Sequence, residues 1–300
     1  MSTTSKSPRK VIKVAFKVAK QSLPEYSHEF SPKKFTQHQL FACLVLKSFL
    51  KTDYRGVVQF LKDCQSLQEV IGLQRVPHFT TLQKAARRLL KRKEFNELLD
   101  ATLKQAMGRR KTVKLAAIDS TGLQSHHCSS YYVKRRSREI NLWQTTTYRR
   151  FPKVGIVCDT SNHMILEAHP SRGPCPDVAE FKVPMKRAAQ RVNINVVVGD
   201  AGYDSESNHQ FGREELSVRT IIPANAGRPT KKPASGKYRR QMQTRFDKEK
   251  YGKRWQCETV MSMFKRRQAV ATRGRNYWSQ CRDLLLIALT HNIMIIYVIR

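Results

Sequence analysis

The feature that most limits how this chain can fold is a run of three β-branched residues, Val196-Val197-Val198, that stops at Gly199-Asp200. A strand that is apolar at consecutive rather than alternate positions is buried on both faces, as in a sheet with helices packed on either side. Val113 to Ile118 reads as another strand and also ends in an acid, Asp119. Val154–Cys158 and His163–Ala168 read as two more strands, joined by a turn at Asp159–Asn162, and Ser217–Ile222 as a fifth. Asp177–Arg191 has helical spacing, and two further helices are expected near Lys250–Arg267 and Ser279–Ile299. This order predicts an α/β domain with a mixed sheet.

The first hundred residues read as helices. Phe41, Leu44, Val45, Phe49 and Leu50 recur at helical spacing after Thr36, an N-cap residue. Tyr54–Leu61 continues the pattern after a break near Asp53. Leu82–Lys93 places Leu82, Ala85, Ala86, Leu89 and Leu90 on one face, with Arg87, Arg88 and other cations elsewhere. Such a helix suits a solvated surface or a DNA backbone equally well. The texture changes at Gly108-Arg109-Arg110-Lys111, which sets a boundary between an all-α domain over 1–110 and the α/β domain over 111–300. Met1–Lys20 is basic and lacks the apolar run of a secretory signal. It is expected to be a frayed arm.

Lys and Arg number 56 against 23 Asp and Glu, a net charge of +33, while 40% hydrophobic residues suffice for a core. A charge this large calls for a polyanionic partner, and nucleic acid gains affinity by releasing counterions to Lys and Arg. A membrane surface is the rival. The most apolar segment, Leu284–Ile299, is interrupted by Thr290-His291-Asn292 and falls short of the roughly 20 residues a span needs. It reads as a buried helix, which leaves nucleic acid as the partner and no membrane. A basic insertion at about 223–249, containing Arg228, Lys231, Lys232, Arg239 and Arg240, is expected to grip DNA from the surface. The seven cysteines are scattered and never form Cys-x-x-Cys, as in a reducing compartment. His126-His127-Cys128 lacks the second ligand pair of a zinc finger. Trp143 and Trp255 could stack on a displaced base, but core packing is the expected role of each.

The two strand-end acids carry the chemistry. Asp119 is followed by Ser120-Thr121-Gly122, and Asp200 by Ala201-Gly202-Tyr203-Asp204. In open α/β sheets the crevice beyond the strand carboxyl ends binds ligands. With Tyr251 set at zero and about 100° per residue, Arg254, Glu258 and Lys265 fall within an arc of about 60° that includes it. Cys257, Val260 and Phe264 lie on the other side. An Arg254–Glu258 ion pair on a surface helix would satisfy the same spacing. Were Glu258 to face both Asp residues, the three hard-oxygen carboxylates would suit Mg²⁺, with Mn²⁺ as a substitute. Two ions about 3.5–4 Å apart serve in-line phosphoryl transfer, with cations holding the phosphate.

At these residues the sequence resembles the DDE transposases of bacterial insertion sequences. Tyr251-x2-Arg254-x3-Glu258-x6-Lys265 matches the Tyr/Arg/Glu/Lys signature of one large group without departure, and Ile118-Asp119-Ser120-Thr121-Gly122 and Gly199-Asp200-Ala201-Gly202-Tyr203-Asp204 resemble its two Asp blocks. The resemblance covers residues from about 77 to 299. It implies a ribonuclease-H-like core with a mixed five-stranded sheet, preceded by the all-α domain. It implies cut-and-paste DNA transposition, with Asp119, Asp200 and Glu258 coordinating two Mg²⁺ ions and Tyr251, Arg254 and Lys265 contacting phosphates. It further implies terminal inverted repeats and target DNA as partners, the former read by the helical domain. A homodimer or larger complex on DNA and a location in the bacterial cytoplasm with the nucleoid also follow from it. Asp204 would support the site or cap the next helix. A nuclease without strand transfer, and a catalytically silent DNA-binding derivative, are the alternatives.

Overall fold

A computed structural model describes residues 4–108, 112–125, 151–224, 233–267 and 271–299. His126-His127-Cys128, Trp143, Arg228, Lys231 and Lys232 lie outside the described residues. The N-terminal region forms helices α1 (Pro8–Ser22), α2 (Gln37–Phe49), α3 (Tyr54–Asp63), α4 (Gln65–Val70), α5 (Phe79–Leu89) and α6 (Arg92–Met107). Thr36 caps α2 in a reciprocal pair with Gln39, and Asp53 caps α3 through the Gly56 amide. Two expectations are corrected here. The basic N-terminus is helical, because Val11, Ile12, Ala15, Val18 and Ala19 form one buried stripe between its lysines. Leu82–Lys93 is two helices, since the chain turns at Leu90-Lys91 before α6 begins.

The main sheet comprises β1 (Ala116–Gly122), β2 (Phe151–Asp159), β3 (Ile165–Gly173), β4 (Val196–Gly199) and β5 (Arg219–Ile221). Its spatial order is β3-β2-β1-β4-β5. β1 runs antiparallel to β2, and β2 to β3, whereas β1, β4 and β5 are mutually parallel. This is the mixed five-stranded sheet expected from the sequence. Val197 and Val198 of β4 are fully buried, as the unbroken apolar run requires.

The remaining helices are α7 (Lys182–Arg191), α8 (Glu206–Gln210), α9 (Lys237–Thr244), α10 (Lys248–Gly252), α11 (Trp255–Arg267) and α12 (Tyr277–Ile299). Part of the basic insertion is therefore the ordered helix α9, with Met242 buried beneath it. Asn292, one of the polar residues that interrupt α12, ties the two halves of the molecule together. Asn292 accepts from the Ile165 amide at 2.8 Å and donates to the Ile165 carbonyl at 2.9 Å and the Thr102 hydroxyl at 3.1 Å. It thus pairs the first residue of β3 and holds it against α6. Among the described residues no helix is long and apolar enough to cross a membrane.

Candidate active site

Strand register brings the two Asp residues together. Ile118 of β1 pairs with Gly199 of β4, so Asp119 and Asp200 are the next residues on adjacent parallel strands. Asp119 accepts the Ser120 amide at 2.7 Å, and Asp200 caps a short 3₁₀ turn through the Gly202 amide at 2.9 Å. Gly202 packs closely against the Asp200 and Asp177 carboxylates. A Cβ there would stand 3.0 Å from Asp200 Oδ1 and 3.4 Å from Asp177 Oδ2. Burial pushes the Asp119 carboxyl up to about 6, and the charges of Asp200 and Asp177 act in the same direction; the Ser120 amide and Arg254 oppose them.

Opposed residues on antiparallel strands share a face. Asp119 pairs with Ile156, and Cys158, two residues along β2, contacts Cys257 of α11. Asp119 therefore faces α11, and Ser120 faces the other way. On α11, Glu258 is 54% exposed and accepts from Arg254 Nη2 at 2.6 Å. Arg254 in turn feels the charge of Asp119. Glu258 thus joins the acid pair through a shared cation rather than by direct contact. Among the described residues, no three His, Cys, Asp or Glu side chains stand close enough together to hold a metal ion. The carboxylate pair fits a hard divalent cation in donor chemistry and in its unfavourable mutual charge; Glu258 is paired with Arg254.

The helix expected over Lys250–Arg267 is divided. Tyr251 lies on α10, and the chain turns at Lys253-Arg254 through i→i−3 hydrogen bonds, Arg254 N–H to the Tyr251 carbonyl among them. Arg254 still lies over the Tyr251 ring, 6.0 Å from its centroid, and Lys265 follows on α11. Trp255 is 54% exposed rather than packed in the core.

Other cations are placed differently from one another. Arg239 is committed to Asp204, with Nε at 3.0 Å from both carboxylate oxygens and Nη2 at 2.7 Å from Oδ2. Asp204 therefore anchors α9, while Ser205 caps α8. Arg240 is exposed, Arg87 is exposed, and Arg88 is half-buried with its Nε donating to Gln37 Oε1 at 3.1 Å.

Sequence reasoning passed over Asp177. It accepts from Ser120 Oγ at 2.6 Å and from Lys153 Nζ at 2.7 Å, and Lys153 also reaches Glu180 at 2.9 Å and the Cys175 carbonyl at 2.7 Å. The acidic Pro176-Asp177 segment that follows the strands was the available signal.

The mixed sheet thus sets paired acids beyond adjacent parallel strands, near a helix that carries a third acid and cations. The transposase DDE domain family matches residues 111–293, and the chain belongs to that family of nucleic-acid phosphoryl-transfer enzymes, which generally use divalent metals. The chain is also similar to a crystal structure of a pre-cleavage Mos1 transpososome, at 13% identity and a TM-score of 0.22, covering 90% of this chain and 80% of that one. A comparison with curated proteins found no match.

Proposed function

We propose that this transposase acts by cut-and-paste, cleaving DNA at the ends of its element and joining the freed ends to target DNA. The observation that carries the reading is the register that sets Asp119 beside Asp200, with Arg254 linking them to Glu258 on α11. Asp119, Asp200 and Glu258 would hold two Mg²⁺ or Mn²⁺ ions. When bound, such ions activate an attacking oxygen and stabilise the leaving one. The protein's own groups orient the reaction. Tyr251, Arg254 and Lys265 present one phenol and two cations to the phosphate. Arg254 exchanges its carboxylate partner for the phosphate as Glu258 turns to the site. In cleavage, a water oxygen bonds to phosphorus as the bond from phosphorus to the 3′-oxygen breaks, leaving a 3′-hydroxyl and a 5′-phosphate. In joining, that 3′-hydroxyl bonds to a target phosphorus and displaces the target's own 3′-oxygen.

Residues 1–110 would read the terminal inverted repeats, with exposed Arg87 and half-buried Arg88 on α5 as backbone contacts; 111–300 would carry catalysis, and Arg240 on α9 would add a grip. Two ends held together require a dimer or larger assembly on DNA. The test is cleavage of flanking element ends with Mg²⁺. Asp119→Ala, Asp200→Ala and Glu258→Ala should each lower it at least about 10³-fold with DNA binding retained. Retained cleavage in any one removes that residue from the site. Pre-cleaved ends that fail to join target DNA would reduce the enzyme to a nuclease.

A further inference from the structure

A second site lies at the sheet edge. Arg87 and Lys91 from the end of α5, His169 and Pro170 of β3, and Tyr277, Trp278 and Arg282 of α12 line a cavity of about 350 Å³. Trp278 is 70% exposed and meets Tyr277 edge to face, with ring centroids 5.3 Å apart. The Arg172 guanidinium lies 4.5 Å from the Tyr277 ring centroid. Of the other lining cations, Arg92 and Arg187 are taken up by the buried Glu167 beneath. Arg87, Lys91 and Arg282 form no ion pair among the described residues, and no carboxylate lines the cavity. Burial and the charges of Arg187 and Arg92 hold the His169 ring below its ordinary range, in keeping with a positive field.

The strand register relates this cavity to the acid pair. His169 and Pro170 pair with Gly155 and Val154 of β2, which pair with Ser120 and Thr121 of β1, the residues after Asp119. Two strand spacings, roughly 10 Å, therefore separate the backbone of His169 and Pro170 from that of Ser120 and Thr121, on the side of β1 away from Asp200.

We propose that this cavity binds one unpaired base of a single-stranded DNA segment, stacked on Trp278, with its flanking phosphates held by Arg87, Lys91 and Arg282. An exposed indole among cations is a poor element of a solvated surface and a good platform for a π-face. The cavity admits a single base but not a duplex. Every base has a π-face, so the site is tolerant of sequence and differs from one that reads repeats. The proposal rests on the transposase reading, because a DNA strand must be present near the acid pair.

The experiment uses the full chain and two DNAs, a blunt duplex and the same duplex with a short single-stranded 3′ extension containing 2-aminopurine. The wild type should bind the tailed DNA more tightly and quench the aminopurine. Trp278→Ala should weaken tailed-DNA binding about 10-fold and relieve the quenching, while blunt-duplex binding changes less than about twofold. Trp278→Phe should restore most of both signals. Lys91→Ala combined with Arg282→Ala should reproduce the selective loss on tailed DNA if Trp278→Ala does not fold. An unquenched aminopurine in the wild type, equal losses on both DNAs, or unchanged tailed-DNA affinity in the variants would overturn the site. Competition by acidic phospholipid vesicles at equal charge, undiminished in Trp278→Ala, would assign the patch to lipid instead. Failure to bind either DNA would undo the transposase reading itself, which separates the two.

Discussion

Two charge clusters on the same sheet are built in opposite proportions. At Glu167, one fully buried carboxylate of β3 meets Arg92, Arg187 and Arg191, and Arg191 also reaches Asp100 of α6. Around the strand ends, Lys153 pairs with Asp177 and Glu180, Arg254 pairs with Glu258 and acts on Asp119 by charge, and no ion pair reaches Asp200 among the described residues. The first cluster is saturated and fastens the helical region to the sheet. The second keeps a surplus of negative charge in a half-buried place, which is unfavourable for folding and favourable for a cation. A carboxylate with too many arginines is a staple, and carboxylates with too few cations are a site.

Substitutions should separate the two clusters. Glu167→Gln leaves three arginines around a neutral group and should cost about 3–5 kcal/mol, read as a lowered denaturant midpoint with the slope unchanged. Asp177→Asn removes the acceptor of both Ser120 and Lys153. It should lower Mg²⁺-dependent cleavage about 10- to 100-fold, with rescue by Asp177→Glu, while the midpoint moves little. Asp119→Asn should do the reverse for folding. The carboxyl's folded value of about 6 lies above the ordinary 3.8, so the native state takes up a proton between the two. The stability this lends is present below about pH 4 and lost as pH rises through about 6. Without metal, Asp119→Asn should therefore stabilise the protein by about 1–2 kcal/mol at pH 8 and not at pH 4. Equal effects at both pH values would remove the electrostatic contrast. The smallest effect belongs to exposed Arg240 on α9, where Arg240→Ala should reduce the salt slope of DNA binding by about 1.

How much of this was legible in the sequence depends on how local the signal was. Val196–Val198 announced a buried strand because burial on both faces leaves no alternation, and Asp119 and Asp200 stood out as strand-end acids. Their pairing needed β1 and β4 to be neighbours, a fact of topology rather than of either segment. The Tyr251–Lys265 spacing read as one helix, but Gly252 and the tight turn at Lys253-Arg254 divide it without disturbing the side-chain order. Helix α1 was hidden because its lysines outweighed a stripe of small and β-branched residues. Asp177 offered only a weak local signal, because Ser120 and Lys153 reach it from distant strands. Trp278 offered no signal, since an aromatic at the start of an apolar helix ordinarily packs inward; only its exposure marks it.

The central claim is that Asp119, Asp200 and Glu258 hold divalent ions together when a DNA end is bound. Electron paramagnetic resonance of Mn²⁺ bound to the protein–DNA-end complex tests this without relying on turnover. The account predicts two bound ions per active site in the wild type, loss of binding in Asp119→Ala and Asp200→Ala, and loss of at least one ion in Glu258→Ala. Mn²⁺ binding in Glu258→Ala that matches the wild type in number and affinity would contradict it.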